Sequence, residues 1–141
     1  MKQSNVRVRD LMTRSVKTLG QNDKLSAADA VMKTERIRHL PVIDEEGQLA
    51  GIVSQRDLFF SALVRALGFG SASHDRMLNT IFVKEVMTED VVTTTPETLV
   101  TDAARVMVDR KIGCLPVIEG HAMIGILSES DVVSAVAQGV L

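Results

Sequence analysis

The chain has 141 residues, 45% of them hydrophobic, and its 16 Lys plus Arg against 18 Asp plus Glu leave no basic excess to neutralise a nucleic-acid backbone. The N-terminal Met1-Lys2-Gln3-Ser4-Asn5 lacks an apolar h-region and no apolar run nears the roughly 18 residues that span a bilayer, so a soluble, cytoplasmic chain without membrane contact is expected. Cys114 stands alone, which excludes an intrachain disulfide and a cysteine-built zinc cluster. Any metal chemistry would rest on carboxylates and three scattered histidines.

In chain order, Val8-Arg9-Asp10-Leu11-Met12-Thr13 opens the pattern and Val16-Lys17-Thr18-Leu19 reads as a short strand or extended entry. Leu25, Ala28, Val31 and Met32 recur at helical spacing. Leu40-Pro41-Val42-Ile43 and Leu49-Ala50-Gly51-Ile52-Val53 are apolar runs around the acidic turn Asp44-Glu45-Glu46-Gly47, which signals a hairpin. A helix is predicted from Ser54, continued by Phe59, Phe60, Leu63, Val64 and Leu67 and broken at Gly68-Phe69-Gly70-Ser71. Asp75-Arg76-Met77-Leu78 suggests one more helical turn. Val91-Val92-Thr93-Thr94-Thr95 is a second β-branched run. Thr95-Pro96 then predicts an N-cap with proline at the first helical position, ahead of Val100, Ala103, Ala104 and Met107.

The second half repeats the first. A shift of 75 superposes Val8 to Ile43 on Val83 to Ile118, and a shift of 74 superposes Gly51 to Leu58 on Gly125 to Val132; 17 of 44 compared positions are identical. That is a tandem duplication with the order strand, helix, strand, strand, helix in each copy. The predicted organisation is residues 1–67, a linking segment 68–82, and residues 83–141. A copy of this size buries too little surface to be stable alone, so the two copies are expected to share a core and to offer paired crevices for small ligands.

Three words occur twice in order: Met12-Thr13 and Met87-Thr88; Ile37-Arg38-His39-Leu40-Pro41-Val42-Ile43 and Ile112-Gly113-Cys114-Leu115-Pro116-Val117-Ile118; Gly51 to Asp57 and Gly125 to Asp131. On these words the chain resembles a tandem pair of CBS domains, the regulatory Bateman module. The resemblance implies an α/β (α+β) fold of two β-α-β-β-α repeats about a pseudo-twofold axis, and adenine nucleotides or adenosyl ligands bound in clefts between the repeats. AMP, ADP, ATP or an S-adenosyl compound, with or without magnesium, would be a ligand, and no cofactor is obligatory. It further implies a homodimer, and, for a free-standing module, a regulated protein partner in trans.

Carried onto this sequence, the resemblance gives Ser54 and Asp57, and Ser128 and Asp131, to the ribose. Thr13, Val16, Thr88 and Val91 line the site from the opening words, and Ile37 and Ile112 flank the adenine. Arg38, His39 and Arg56 meet phosphates, with Arg38 expected at the Ser128–Asp131 cleft and Arg56 and His39 at the Ser54–Asp57 cleft. The chemistry suits these roles, since an ionised carboxylate offers acceptors to vicinal hydroxyls and a guanidinium pairs bidentately with phosphate. Ser-x-x-Asp at a helix start is equally a capping box, and duplication repeats a cap as readily as a site, so both roles stay open.

No nucleophile stands with an evident base, and no glycine-rich phosphate loop or metal-spaced cluster appears, so catalysis is not expected. The alternative to a sensor is a ligand-free scaffold acting through exposed helices. Cys114 reads as a small buried hydrophobe, His74 and His121 as surface residues, and the seven methionines mostly as core filler. Leu58, Phe59, Leu63, Val132, Val133 and Val136 make the closing helices more apolar than one sheet face requires, which assigns part of that surface to the homodimer.

Overall fold

The computed structural model describes residues 5–69 and 78–141. Its elements are α1 (Val8–Leu11), β1 (Leu19–Gly20), α2 (Leu25–Glu35), β2 (His39–Ile43), β3 (Leu49–Ser54), α3 (Gln55–Phe69), a 3-10 turn at Val83–Glu85, α4 (Val100–Arg110), β4 (Cys114–Glu119), β5 (Ala122–Ser128) and α5 (Glu129–Ala137). The helix break expected at Gly68-Phe69 does not occur there, because the main chain of α3 continues through both residues and an internal glycine only weakens a helix without ending it; Gly70-Ser71, residues 75–77 of the expected further turn and His74 lie outside the described residues. Among the described residues no helix is long and apolar enough to cross a membrane.

The chain divides into two compact units that do not coincide with the two sequence copies. One comprises residues 17–90, the other residues 1–16 with 91–141. Instead of one shared core, the described residues form two, and each draws on both copies. Leu19, Leu25, Ala28, Met32, Leu40, Val42, Val53 and Leu58 of the first copy cluster with Leu78, Ile81 and Val83. Val8 and Met12 cluster with Ala103, Met107, Leu115, Val117 and Leu127 of the second. A copy too small to bury its own apolar faces has them covered by the other copy's opening segment.

In the 17–90 unit, β1 pairs parallel to β2 and β2 antiparallel to β3, with Leu40 opposite Val53 and Val42 opposite Gly51. The hairpin forms where the sequence places it. Asp44 Oδ1 accepts the Glu46 and Gln48 amides, both at 2.9 Å, and Gly47 supplies the positive φ of 78° that closes the turn. In the other unit β4 pairs antiparallel with β5, turning at Gly120 with φ 63°. The two β-branched runs are mostly extended entries: the first pairs only at Leu19–Gly20, and the second touches β4 through one parallel bridge, Thr94 to Val117.

The predicted N-cap at Thr95 with Pro96 in the first turn is incorrect, because α4 starts at Val100. Competition from main-chain pairing explains the delay. Val8 and Arg9 donate to the Thr98 and Pro96 carbonyls at 2.8 and 3.0 Å, and Val100 donates to Val6 at 2.9 Å, so residues 96–98 are held in a turn against the opening segment, closed by the Thr98 amide on the Thr95 carbonyl at 3.3 Å, and Leu99 bridges to Arg7 before the helix begins. The other unit repeats the device, with Leu25 donating to Ile81 and Val83 to Asp23. Both α2 and α4 end on a left-handed residue that is not glycine, Arg36 and Lys111, each at φ 56°.

Candidate functional site

Each closing helix begins at a serine whose box is complete. At α3 the Ser54 amide donates to Asp57 Oδ2 at 2.9 Å and the Asp57 amide donates to Ser54 Oγ at 3.1 Å. At α5 the Ser128 amide donates to Asp131 Oδ2 at 2.9 Å and the Asp131 amide to Ser128 Oγ at 3.3 Å. Capping is therefore a real duty of these residues. It uses one oxygen of each carboxylate; Oδ1 takes no part in either box, and both aspartates stay partly exposed.

The middle words meet these helix starts through the main chain. Gln55 donates to the Arg38 carbonyl at 2.8 Å, and Glu129 to the Gly113 carbonyl at 2.9 Å. The opening words arrive from the other copy. Thr88 and Ile52 exchange both main-chain bonds at 2.9 and 3.0 Å, and Thr13 and Ile126 do the same at 2.9 and 3.0 Å. Only a residue without a side chain fits beneath them. A Cβ on Gly51 would lie 2.7 Å from Met87 Sδ and 2.9 Å from the Thr88 carbonyl oxygen, and one on Gly125 would lie 2.8 Å from the Thr13 carbonyl oxygen and 2.9 Å from Met12 Sδ. Seated this way, the Thr13 hydroxyl reaches Asp131 Oδ1 at 3.5 Å.

The 17–90 unit thus holds Ser54, Asp57, Arg38, His39, Arg56, Ile37 and Thr88. Arg38 belongs by its main chain to the Ser54 junction, and its side chain and that of Arg56 are exposed. The other unit holds Ser128, Asp131, Thr13, Val16, Val91 and Ile112. Ile37 and Ile112 are partly buried, each packed against its unit's core. Ser130, which stands where the first copy has Arg56, places its hydroxyl 2.8 Å from Ser128 Oγ, and Glu129 opens α5; sequence reasoning gave neither a site role, although both were visible as departures of the second closing word from the first.

Cys114 is buried, and burial first, then the nearby Glu129 charge, pushes its thiol from 9.0 up to about 12. It stays protonated and unreactive at neutral pH. Among the described residues no group of three His, Cys, Asp or Glu side chains could hold a metal ion.

Of the apolar residues on the closing helices, Leu58 lies in the core and Val132 packs against the other core, while Phe59, Phe60, Leu63, Val133 and Val136 are 45–66% exposed.

Comparison with known proteins agrees with this architecture. An acetoin utilization protein (AcuB) proposed for Vibrio cholerae has a solved structure 34% identical to this chain, with a TM-score of 0.80 over 94% of this chain and 91% of that one. The structure of CBSX2 in complex with AMP is 27% identical, with a TM-score of 0.77 over 94% and 96% of the two chains. A Bacillus subtilis CBS domain-containing protein, YhcV, is 29% identical over 124 residues, 88% of this chain and 81% of its own length. Other curated relatives are longer. The chain spans 32% of an uncharacterized Methanocaldococcus jannaschii protein to which it is 30% identical, and 23% of a Methanococcoides burtonii homoserine O-acetyltransferase to which it is 32% identical. The CBS domain family matches residues 8–63 and 83–138, the same two stretches that carry the repeated words, and the chain belongs to that family.

Proposed function

We propose that the chain is a non-catalytic regulatory module that binds an adenine nucleotide or related adenosyl ligand at the Ser54–Asp57 and Ser128–Asp131 junctions and signals to a protein partner. The observation that carries this reading is the division of labour in each carboxylate. Oδ2 fixes the helix start, and Oδ1 lies outside the box, with the opening-word hydroxyl of Thr13 beside it at Asp131. An aspartate so held presents an acceptor of set direction to a ribose diol, and the cap prepares the site instead of competing with it. The AMP complex of CBSX2, 27% identical over nearly the whole chain, supports an adenosyl ligand. Ser54 Oγ and Ser128 Oγ accept main-chain amides, which favours binding over turnover. The exposed Phe59, Phe60, Leu63, Val133 and Val136 supply the apolar surface of a homodimer.

Melting with AMP, ADP, ATP, S-adenosylmethionine and GTP tests the reading. A ligand at 100 times its dissociation constant adds about 2.7 kcal/mol of stability. Adenine ligands are expected to raise the midpoint, and Asp57→Asn and Asp131→Asn each to lose part of the rise while staying folded. No rise with any of the five would overturn the reading in favour of a scaffold working through the same exposed helices.

A further inference from the structure

Each opening word rests on its glycine through a methionine, and the two methionines differ in their access to solvent. In the 17–90 unit Met87 lies across Gly51, its Sδ 2.7 Å from the point where a Cβ would stand, and it packs against that unit's core while staying partly exposed. In the other unit Met12 lies across Gly125 in the same way, with Sδ 2.9 Å from the corresponding point, but it is a core residue only 8% exposed. Met32 and Met107 are buried as well, so among the described methionines Met87 and Met123 are the ones a solute can reach. Met123 pairs with Ile118 near the turn between β4 and β5.

We infer that Met87 is the site of a reversible redox modification: oxidation of its thioether to the sulfoxide by hydrogen peroxide loosens the Val86-Met87-Thr88 segment from Gly51, whereas the corresponding seat at Met12 is shielded. A sulfur lone pair attacks one peroxide oxygen, and an S–O bond forms as the O–O bond breaks. The departing hydroxide takes the proton of the transferred OH and leaves as water, so sulfur gives up two electrons and the peroxide is reduced. The product is polar where the thioether was apolar. Its oxygen either meets the Gly51 backbone, where not even a Cβ fits, or draws the sulfur out into water and uncovers the core that the side chain now covers. Both courses remove packing from the Thr88 and Ile52 amides, which donate to each other's carbonyls at 2.9 and 3.0 Å. Reduction by methionine sulfoxide reductases restores the apolar contact. Oxidation therefore acts on one unit and leaves the other as it was.

The test treats the intact chain with hydrogen peroxide, follows each methionine by peptide mass spectrometry and follows backbone opening by hydrogen exchange. Met87 is expected to oxidise roughly tenfold faster than Met12, Met32 and Met107, and exchange at Ile52 and Thr88 to quicken roughly tenfold while Thr13 and Ile126 keep their protection. Met87→Leu, which nearly keeps the apolar volume, should hold the seat and abolish the response; Met12→Leu and Cys114→Ala should leave the response intact. Met87→Gln, polar without any oxidant, should show the quickened exchange at once, and reductase treatment of the oxidised parent should reverse it. Oxidation of Met87 at the pace of the buried methionines, unchanged exchange at Ile52 and Thr88 once Met87 is oxidised, or an undiminished response in Met87→Leu would overturn the inference.

Discussion

Gly51 is the position where one added carbon should do most harm. An alanine Cβ there would stand 2.7 Å from Met87 Sδ, 2.9 Å from Met87 Cγ and 2.9 Å from the Thr88 carbonyl oxygen. The methionine can swing aside, since thioether side chains adapt. The carbonyl cannot move without stretching its 3.0 Å bond from the Ile52 amide and the reciprocal 2.9 Å bond from the Thr88 amide. Overpacking costs about 1–3 kcal/mol and the two weakened bonds about 1 kcal/mol each, while the stiffer unfolded chain returns about 0.4–1 kcal/mol. Gly51→Ala is therefore expected to lose about 2–5 kcal/mol, read as a fall of roughly 6–20 °C in the circular-dichroism midpoint. Adding Met87→Ala removes the sulfur but not the carbonyl, so the double variant should recover only part of its share, as a double-mutant cycle would measure. A midpoint within 2 °C of the parent would refute the claim that the opening word is seated on the glycine. Gly125→Ala, facing the Thr13 carbonyl oxygen at 2.8 Å, provides an independent repeat in the other unit.

Arg36→Gly and Lys111→Gly should each stabilise by about 0.5–1 kcal/mol, because relief of the left-handed conformation outweighs the added unfolded-state entropy; a lowered midpoint would contradict this. Cys114 makes stability fall at high pH. Its neutral form is favoured in the fold, so its contribution is whole below pH 9 and is lost as pH climbs toward about 12, a difference on the order of 4 kcal/mol. Urea unfolding between pH 8 and pH 11 should decline more steeply in the parent than in Cys114→Ala, and parallel slopes would exclude the buried thiol as the cause. A fragment of residues 17–90 should unfold cooperatively, whereas residues 1–67 should not, since the shorter piece lacks Leu78, Ile81 and Val83, each contributing about 1.5–3 kcal/mol of burial. Cooperative unfolding of residues 1–67 would show that the exchanged opening segment is dispensable.

Much of this molecule can be read from its letters because the signals are local. The turn at Asp44 to Gly47 and the boxes at Ser54 and Ser128 are each settled within five residues, and all three form as read. Thr95-Pro96 carried an equally good local signal and failed, because partners some ninety residues away, Val8 and Arg9, captured the Thr98 and Pro96 carbonyls first. Arg36 and Lys111 were invisible for the opposite reason: a left-handed cap normally announces itself as glycine, and here arginine and lysine adopt it. The exchange of opening words was half legible. Gly51 and Gly125 recur in register with the closing aspartates, yet a glycine in a strand says only that something approaches closely, not what. Coordinates supply the missing fact that the approaching group is the other copy's Met-Thr word. That contact brings Thr13 to Asp131. A duplication that exchanged nothing would give two copies free to diverge separately. Exchange ties each carboxylate to an opening segment from the other half, so a change at Thr13 acts on the site built around Asp131, in the other copy.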